Sequence, residues 1–247
     1  MSNILFSQQG GAVTLALNRP PLNVVNTEMM KELLGLLKSA QRSKAKVLVL
    51  RGEGACFSSG TDIKEHLPKQ AKKLITLFEQ ACLALATLPI PTLAYVHGYA
   101  LGGGLELACM CDLLYASPQT QLGQPEIMLG VMAPVASAVL PSICGRRAAD
   151  LLFSGRPISA IEGRDWGLVN GIGDAIAFDR VVQGIASKSR PALVAAKKAV
   201  LNGRFKPLAA AIKENSKIYL GDLLKARDPE EGLKAFMEKR QPVWLDR

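Results

Sequence analysis

At 247 residues and 49% apolar content, the chain is long enough to bury a sizeable core, as one large domain or two small ones. The net charge of +9 suits an anionic partner such as nucleic acid, lipid headgroups or a phosphorylated small molecule, yet the basic residues are dispersed and no nucleic-acid arm is marked. Five cysteines without paired C-x-x-C spacing suggest neither a zinc site nor a disulfide framework, and Met1-Ser2-Asn3-Ile4-Leu5 lacks the basic and apolar regions of a secretory signal, so a cytoplasmic protein with reduced thiols is expected.

In chain order, Ile4–Phe6 and Val13–Leu17 flank Gln8-Gln9-Gly10-Gly11 and predict a hairpin. After the turn-rich Asn18-Arg19-Pro20-Pro21-Leu22-Asn23, the capping residues Asn26 and Thr27 precede apolar residues at helical spacing: Met30, Leu33, Leu34 and Leu37. Lys46–Leu50 predicts a buried strand, Lys72–Thr87 a helix stopped by Pro89 and Pro91, and Thr92–Val96 and Leu113–Ala116 further strands. The uncharged window Ile127–Cys144 is broken by Gly130, Pro134 and Pro141, which argues for buried lining over a membrane span. From Ser187 onward the residues are rich in Lys, Ala and Leu without strand signals, predicting a helical region over 187–247 behind an α/β core over 1–186.

Two stretches, Ser58–Pro68 and Tyr99–Ala108, concentrate small residues near a strand end and a helix start. Glycine there lets a ligand approach the unpaired N–H groups of a helix N-terminus. Neither G-x-x-x-x-G-K-[ST] nor G-x-G-x-x-G is present, so a phosphate loop is not indicated. Two converging N–H donors would suit an enolate or oxyanion, and Glu106 and Glu126 lie close enough in sequence to join them. By themselves, Glu106 reads equally as a first-turn helix carboxylate and Glu126 as a loop acid.

Phe57-Ser58-Ser59-Gly60-Thr61-Asp62-Ile63, His97-Gly98-Tyr99-Ala100-Leu101-Gly102-Gly103-Gly104-Leu105-Glu106-Leu107-Ala108, Cys111-Asp112-Leu113-Leu114 and Gly123-Gln124-Pro125-Glu126-Ile127 resemble the motifs of the crotonase (enoyl-CoA hydratase/isomerase) superfamily, in order and spacing. The resemblance covers nearly the whole chain. It implies a spiral core of ββα turns and a C-terminal helical region that builds homotrimers, often paired into hexamers. It also implies an acyl-CoA thioester as substrate, with coenzyme A part of that substrate and no separate cofactor or metal.

By the same resemblance, the backbone N–H groups of Thr61 and Gly103 would hold the thioester oxygen, Gly103 approaching it without a side chain. Thr61 would act through its backbone, so its side chain is expected to matter little. Glu106 would orient and deprotonate water and Glu126 would protonate the substrate carbon. Leu22, Val24, Ser58, Gly60, Asp62 and Ile63 would lie along the nucleotide, with Lys239 reaching in from a neighbouring subunit.

Where many hydratases carry a glycine-rich run after the second glutamate, this chain has Val135 and Ala136, expected to thicken the pocket wall and favour a compact acyl group. Asn18–Val25, Leu88–Thr92 and Pro134–Pro141 look most like the cyclohexa-1,5-diene-1-carbonyl-CoA hydratases of anaerobic aromatic degradation. Ordinary short-chain or branched enoyl-CoA hydration is the nearest alternative. A serine hydrolase is not supported, because no G-x-S-x-G is present and the two histidines, His66 and His97, mark no triad, His97 reading as structural. Isomerases and decarboxylases of this scaffold usually lack one of the two glutamates. RNA binding, known among crotonase relatives, is disfavoured by dispersed charge and 5% aromatic content.

Overall fold

The computed structural model describes residues 2–244, without the side chains of 203–206. Its elements run β1 (Ile4–Gln9), β2 (Ala12–Leu17), α1 (Thr27–Arg42), β3 (Val47–Gly52), α2 (Pro68–Ala86), β4 (Thr92–Val96), β5 (Tyr99–Leu101), α3 (Gly103–Cys109), β6 (Leu113–Ala116) and β7 (Gln121–Gly123). They continue as α4 (Pro134–Cys144), α5 (Arg147–Ser154), β8 (Ile158–Ser159), α6 (Ala160–Asp165), β9 (Gly171–Ile172), α7 (Ala175–Ala186), α8 (Arg190–Lys217) and α9 (Asp228–Met237). The hairpin and the strands expected at Lys46–Leu50, Thr92–Val96 and Leu113–Ala116 are present.

A six-stranded sheet in the order β1-β2-β3-β4-β6-β9 is parallel except for β1, and β5-β7-β8 form a smaller second sheet. Successive turns of chain place one strand in the large sheet, one in the small sheet and then a helix: β4, β5, α3, followed by β6, β7, α4. The apolar run of β3 is continuous because both its faces are covered. Leu48 and Leu50 join the main core with α1, while Val47 and Val49 pack with Leu93, Tyr95, Phe178 and Val182 under α7.

Helix α1 starts where the side chain of Asn26 accepts the N–H of Met29, and it buries Met29, Met30, Leu33 and Leu37. Helix α2 begins at Pro68 rather than Lys72, because proline at the first helical position forgoes only an N–H that had no partner there. The uncharged window divides into a 3-10 turn (Pro125–Leu129), a connector and α4, and among the described residues no helix is long and apolar enough to cross a membrane. Helix α8 packs on α4 and α2, and its Lys197 is buried against Asp112 at 2.5 and 2.6 Å. A short π-helical turn, Ile218–Asp222, follows it.

Candidate active site

The two small-residue stretches lie side by side. Ser58 N–H donates to Tyr99 O (3.0 Å) and Leu101 N–H to Ser58 O (3.1 Å), so the first loop adds a strand-like bridge to β5. The next link is Gly102 N–H to Gly123 O at 2.9 Å, which brings β7 and the Pro125–Leu129 turn alongside. Gly102 has φ 50° and ψ −129°, a conformation in which a side chain would be strained. A Cβ on it would lie 2.7 Å from Glu126 Oε1, so the second glutamate rests directly against the loop.

Val25 N–H donates to Gly60 O and Asp62 N–H to Val25 O, both at 2.8 Å. In this extended bridge the N–H of Thr61, between those two, points away from Val25. Gly103 opens α3, and its N–H is one of the helix-start donors with no intrahelical acceptor. A Cβ on Gly103 would meet Thr61 Cγ2 at 2.6 Å and Phe78 Cε2 at 3.3 Å. The bareness of Gly103 therefore makes room for the Thr61 methyl, which corrects the expectation that it clears space for ligand alone.

The side chain of Thr61 is also far from idle. Its Oγ1 lies 2.6 Å from His66 Nε2, and His66 Nδ1 lies 2.7 Å from the hydroxyl of Tyr219 in the π-helical turn. Burial lowers the His66 pKa to about 4 against the opposing charge of Asp62, so the ring is neutral. Burial raises the Tyr219 phenol, helped by the negative charges of Glu126 and Glu106.

Glu106 is 3% exposed, on α3, with Oε1 accepting the N–H of Ala136 at 2.7 Å. Ala136 lies in the first turn of α4, where helix geometry leaves N–H groups for an acceptor. Burial raises the Glu106 pKa to about 7, and the Ala136 and Val135 backbone donors oppose that rise. Glu126, half-buried, is pushed well above the usual carboxylate range by burial and then by the charge of Glu106. The Gln124 amide nitrogen, oriented to donate, lies 3.0 and 3.2 Å from Glu126 Oε2 and Oε1. The structure thus gathers Thr61, Gly103, Glu106 and Glu126 around one spot.

Around this spot the remaining expectations fare unevenly. Leu22 is exposed and Val24 half-buried, whereas Ser58 is fully buried, with Oγ donating to Asn23 O (2.8 Å) and accepting Gly60 N–H (3.2 Å). Its side chain faces the interior, so its expected place beside a nucleotide is corrected to a loop brace. Asp62 caps the turn Ile63–His66 through Lys64 N–H (3.1 Å) and pairs with Arg19 at 3.5 Å. Ile63 packs with the Tyr219 cluster, and Gly60 is buried with φ 112°. Lys239 is exposed in the turn after α9, on a separate element. The side chains of Val135 and Ala136 belong to the main core, and their backbone is what meets Glu106. The expected thickening of a pocket wall is corrected accordingly.

His66, Tyr219, Gln124 and Asn23 were not assigned from sequence. Asn23, at φ 50°, ties the Pro20–Val24 loop to the Cys56 segment through Nδ2 donations to Glu53 O and Cys56 O, both 2.8 Å. Only the scarcity of histidine could have drawn attention to His66, and Tyr219 carries no local signal.

Comparison with known proteins matches residues 7–247 to a family model described as Enoyl-CoA hydratase/isomerase. A cyclohexa-1,5-dienecarbonyl-CoA hydratase of Thauera aromatica is 35% identical over 251 residues, covering 99% of this chain and 96% of that protein. A probable enoyl-CoA hydratase of Rhizobium meliloti (strain 1021) is also 35% identical, covering 99% and 98%. Among solved structures, an enoyl-CoA hydratase from Mycobacterium avium subsp. paratuberculosis K-10 superposes with a TM-score of 0.89 at 27% identity, covering 99% of each chain.

Proposed function

We propose that this chain, which belongs to the enoyl-CoA hydratase/isomerase family and is a hydro-lyase of the crotonase fold, adds water reversibly to a compact conjugated dienoyl-CoA thioester, cyclohexa-1,5-diene-1-carbonyl-CoA. The observation that carries the reading is the pair of buried glutamates with raised pKa values beside the outward N–H groups of Thr61 and Gly103. The N–H pair receives the thioester oxygen, as electrons move from the β carbon through the conjugated system toward it. Glu106, ionised, removes a proton from water, whose oxygen bonds to the β carbon. Glu126, protonated, returns a proton to carbon at the far end of the dienolate, giving 6-hydroxycyclohex-1-ene-1-carbonyl-CoA with no net change in protons. Two coupled carboxylates that cannot both ionise freely are suited to this split of roles.

The ring substrate is supported by the likeness to the Thauera aromatica protein across the full chain. The equal identity to the Rhizobium meliloti protein favours a second reading, ordinary enoyl-CoA hydration, by the same residues. Leu22 and Val24, exposed and half-exposed beside the loop, are the surfaces offered to the coenzyme A moiety. An open groove of about 900 Å³ lined by Ile127, Met128, Phe153, Ile218 and Trp244, with Phe153 77% exposed, would be covered by self-association into a trimer or a pair of trimers, and Lys239 would then reach a neighbour's nucleotide.

The test follows loss of the conjugated thioester absorbance with cyclohexa-1,5-diene-1-carbonyl-CoA and crotonyl-CoA side by side, with Glu126→Gln as control. Faster turnover of the diene, abolished in the variant, is the expected result. A preference for crotonyl-CoA would replace the ring substrate with the second reading, and inactivity on both would overturn hydration.

A further inference from the structure

The Thr61 side chain spans the candidate oxyanion site. Its hydroxyl is held by His66 at 2.6 Å, and its methyl faces Gly103, where an added Cβ would come within 2.6 Å of it. A threonine has two competitive χ1 wells for its oxygen, so this arrangement needs a cause. Rotation about χ1 would swing the hydroxyl toward Gly103. An oxygen placed there would accept the Gly103 N–H itself and occupy the position meant for a thioester oxygen.

The direction of the hydrogen-bond chain follows from counting protons. A neutral imidazole carries one N–H, so one ring nitrogen donates and the other accepts. Tyr219 is fully buried, and its hydroxyl pairs with His66 Nδ1. If Nδ1 carried the proton, the phenolic O–H would need another acceptor, and a buried donor left without one costs about 1–3 kcal/mol. The favoured order is therefore Tyr219 O–H to Nδ1, then Nε2–H to Thr61 Oγ1. The chain closes across 153 residues of sequence, and its far end sits in the π-helical turn, an irregularity often associated with function.

We propose that His66 is a positioning residue: held by Tyr219, its Nε2–H fixes the Thr61 hydroxyl away from Gly103 and so keeps the two-N–H site open for the thioester oxygen. The inference rests on the hydratase reading above and adds a requirement to it.

The role predicts a specific rescue. His66→Leu frees the Thr61 hydroxyl and should lower kcat roughly 10–100-fold, by impairing one oxyanion donor, with KM changed much less. Adding Thr61→Val removes the competing oxygen and keeps the shape, so His66→Leu/Thr61→Val should recover most of the lost kcat. If His66 merely supports packing, the double variant will be no better than His66→Leu, and the proposal is overturned. Tyr219→Phe provides a milder variant should His66→Leu fold poorly, and it too should be rescued by Thr61→Val.

Two readouts separate failure of this inference from failure of the hydratase reading. In the wild-type protein with butyryl-CoA, a saturated thioester that cannot be hydrated, the carbonyl stretch should move to lower frequency. That shift should be lost in His66→Leu and return in the double variant. No shift in wild type would overturn the hydratase reading and this inference with it, while a shift retained in His66→Leu overturns this inference alone. With only two histidines in the chain, ¹⁵N NMR can assign the His66 tautomer without ligand. Protonation at Nε2 is expected, and protonation at Nδ1 would overturn the proposed direction.

Discussion

Glu106 and Glu126 are the same side chain in two different settings. Glu106 stands where α3 meets the first turn of α4, held by a backbone donor inside the main core. Glu126 lies on the 3-10 turn Pro125–Leu129, half-buried, with a side-chain amide as its donor and Glu106's charge as its neighbour. Backbone donors favour the ionised form at Glu106 against the rise caused by burial, while the neighbouring charge adds to that rise at Glu126. Environment rather than residue type thus separates a base from an acid. Exchanging either for its amide should remove proton transfer at that position, and Glu106→Gln and Glu126→Gln should each lower kcat by ~10²–10⁴-fold. A steady-state assay showing one of them within tenfold of wild type would mean that only one glutamate takes part.

The next largest effect tests the ground the two glutamates share. Gly103→Ala places a Cβ 2.6 Å from Thr61 Cγ2, closer than atoms can settle, so the Thr61 segment must move. Because one misplaced oxyanion donor costs about 10²–10³-fold, kcat should fall by roughly that factor while both glutamates remain. Thermal melting would show whether the protein still folds cooperatively. A well-folded variant with normal kcat would disprove the placement of the N–H pair.

The difference between the two regions also explains what could be read from sequence. The α/β alternation was legible because β3 and β4 are covered on both faces and read as unbroken apolar runs. Thr61, Gly103, Glu106 and Glu126 were legible because they sit within contiguous motifs. The braces around them were not. Tyr219 meets His66 across 153 residues, and no periodicity or spacing records such a contact. Val135 and Ala136 were read by side-chain volume, but their effect on the site comes from N–H groups that every residue except proline would supply.

The pH response sharpens the comparison through stability as well as rate. Glu106 has a folded pKa raised from 4.5 to about 7, so the native state holds its proton more tightly than the unfolded chain does. Its contribution is fully present below pH 4.5 and is lost as the pH rises through about 7. Glu106→Gln carries no such loss. The variant should gain on wild type by roughly 1–3 kcal/mol between pH 5 and pH 8, read from denaturant midpoints at each pH. Wild-type kcat should rise through the same interval as Glu106 ionises, then fall at higher pH as Glu126 gives up its proton, the two limbs belonging to the pair. A gain that is constant with pH would show that Glu106 is not the group titrating.

The smallest effect separates the two donors. The Ala136 N–H that holds Glu106 belongs to the backbone and survives substitution by any residue but proline, whereas the Gln124 amide that holds Glu126 can be deleted. Donation to a carboxylate stabilises its charged form, so Gln124→Ala should raise the Glu126 pKa further and move the upper limb of the pH profile to higher pH. At neutral pH Glu126 is already protonated, so proton delivery itself is retained, and the loss comes from looser orientation of the carboxyl group. A three- to tenfold fall in kcat is expected, on the scale of ~1 kcal/mol for one lost hydrogen bond. An upper limb that stays in place in Gln124→Ala would detach Gln124 from Glu126, leaving burial and Glu106 alone to set the acid.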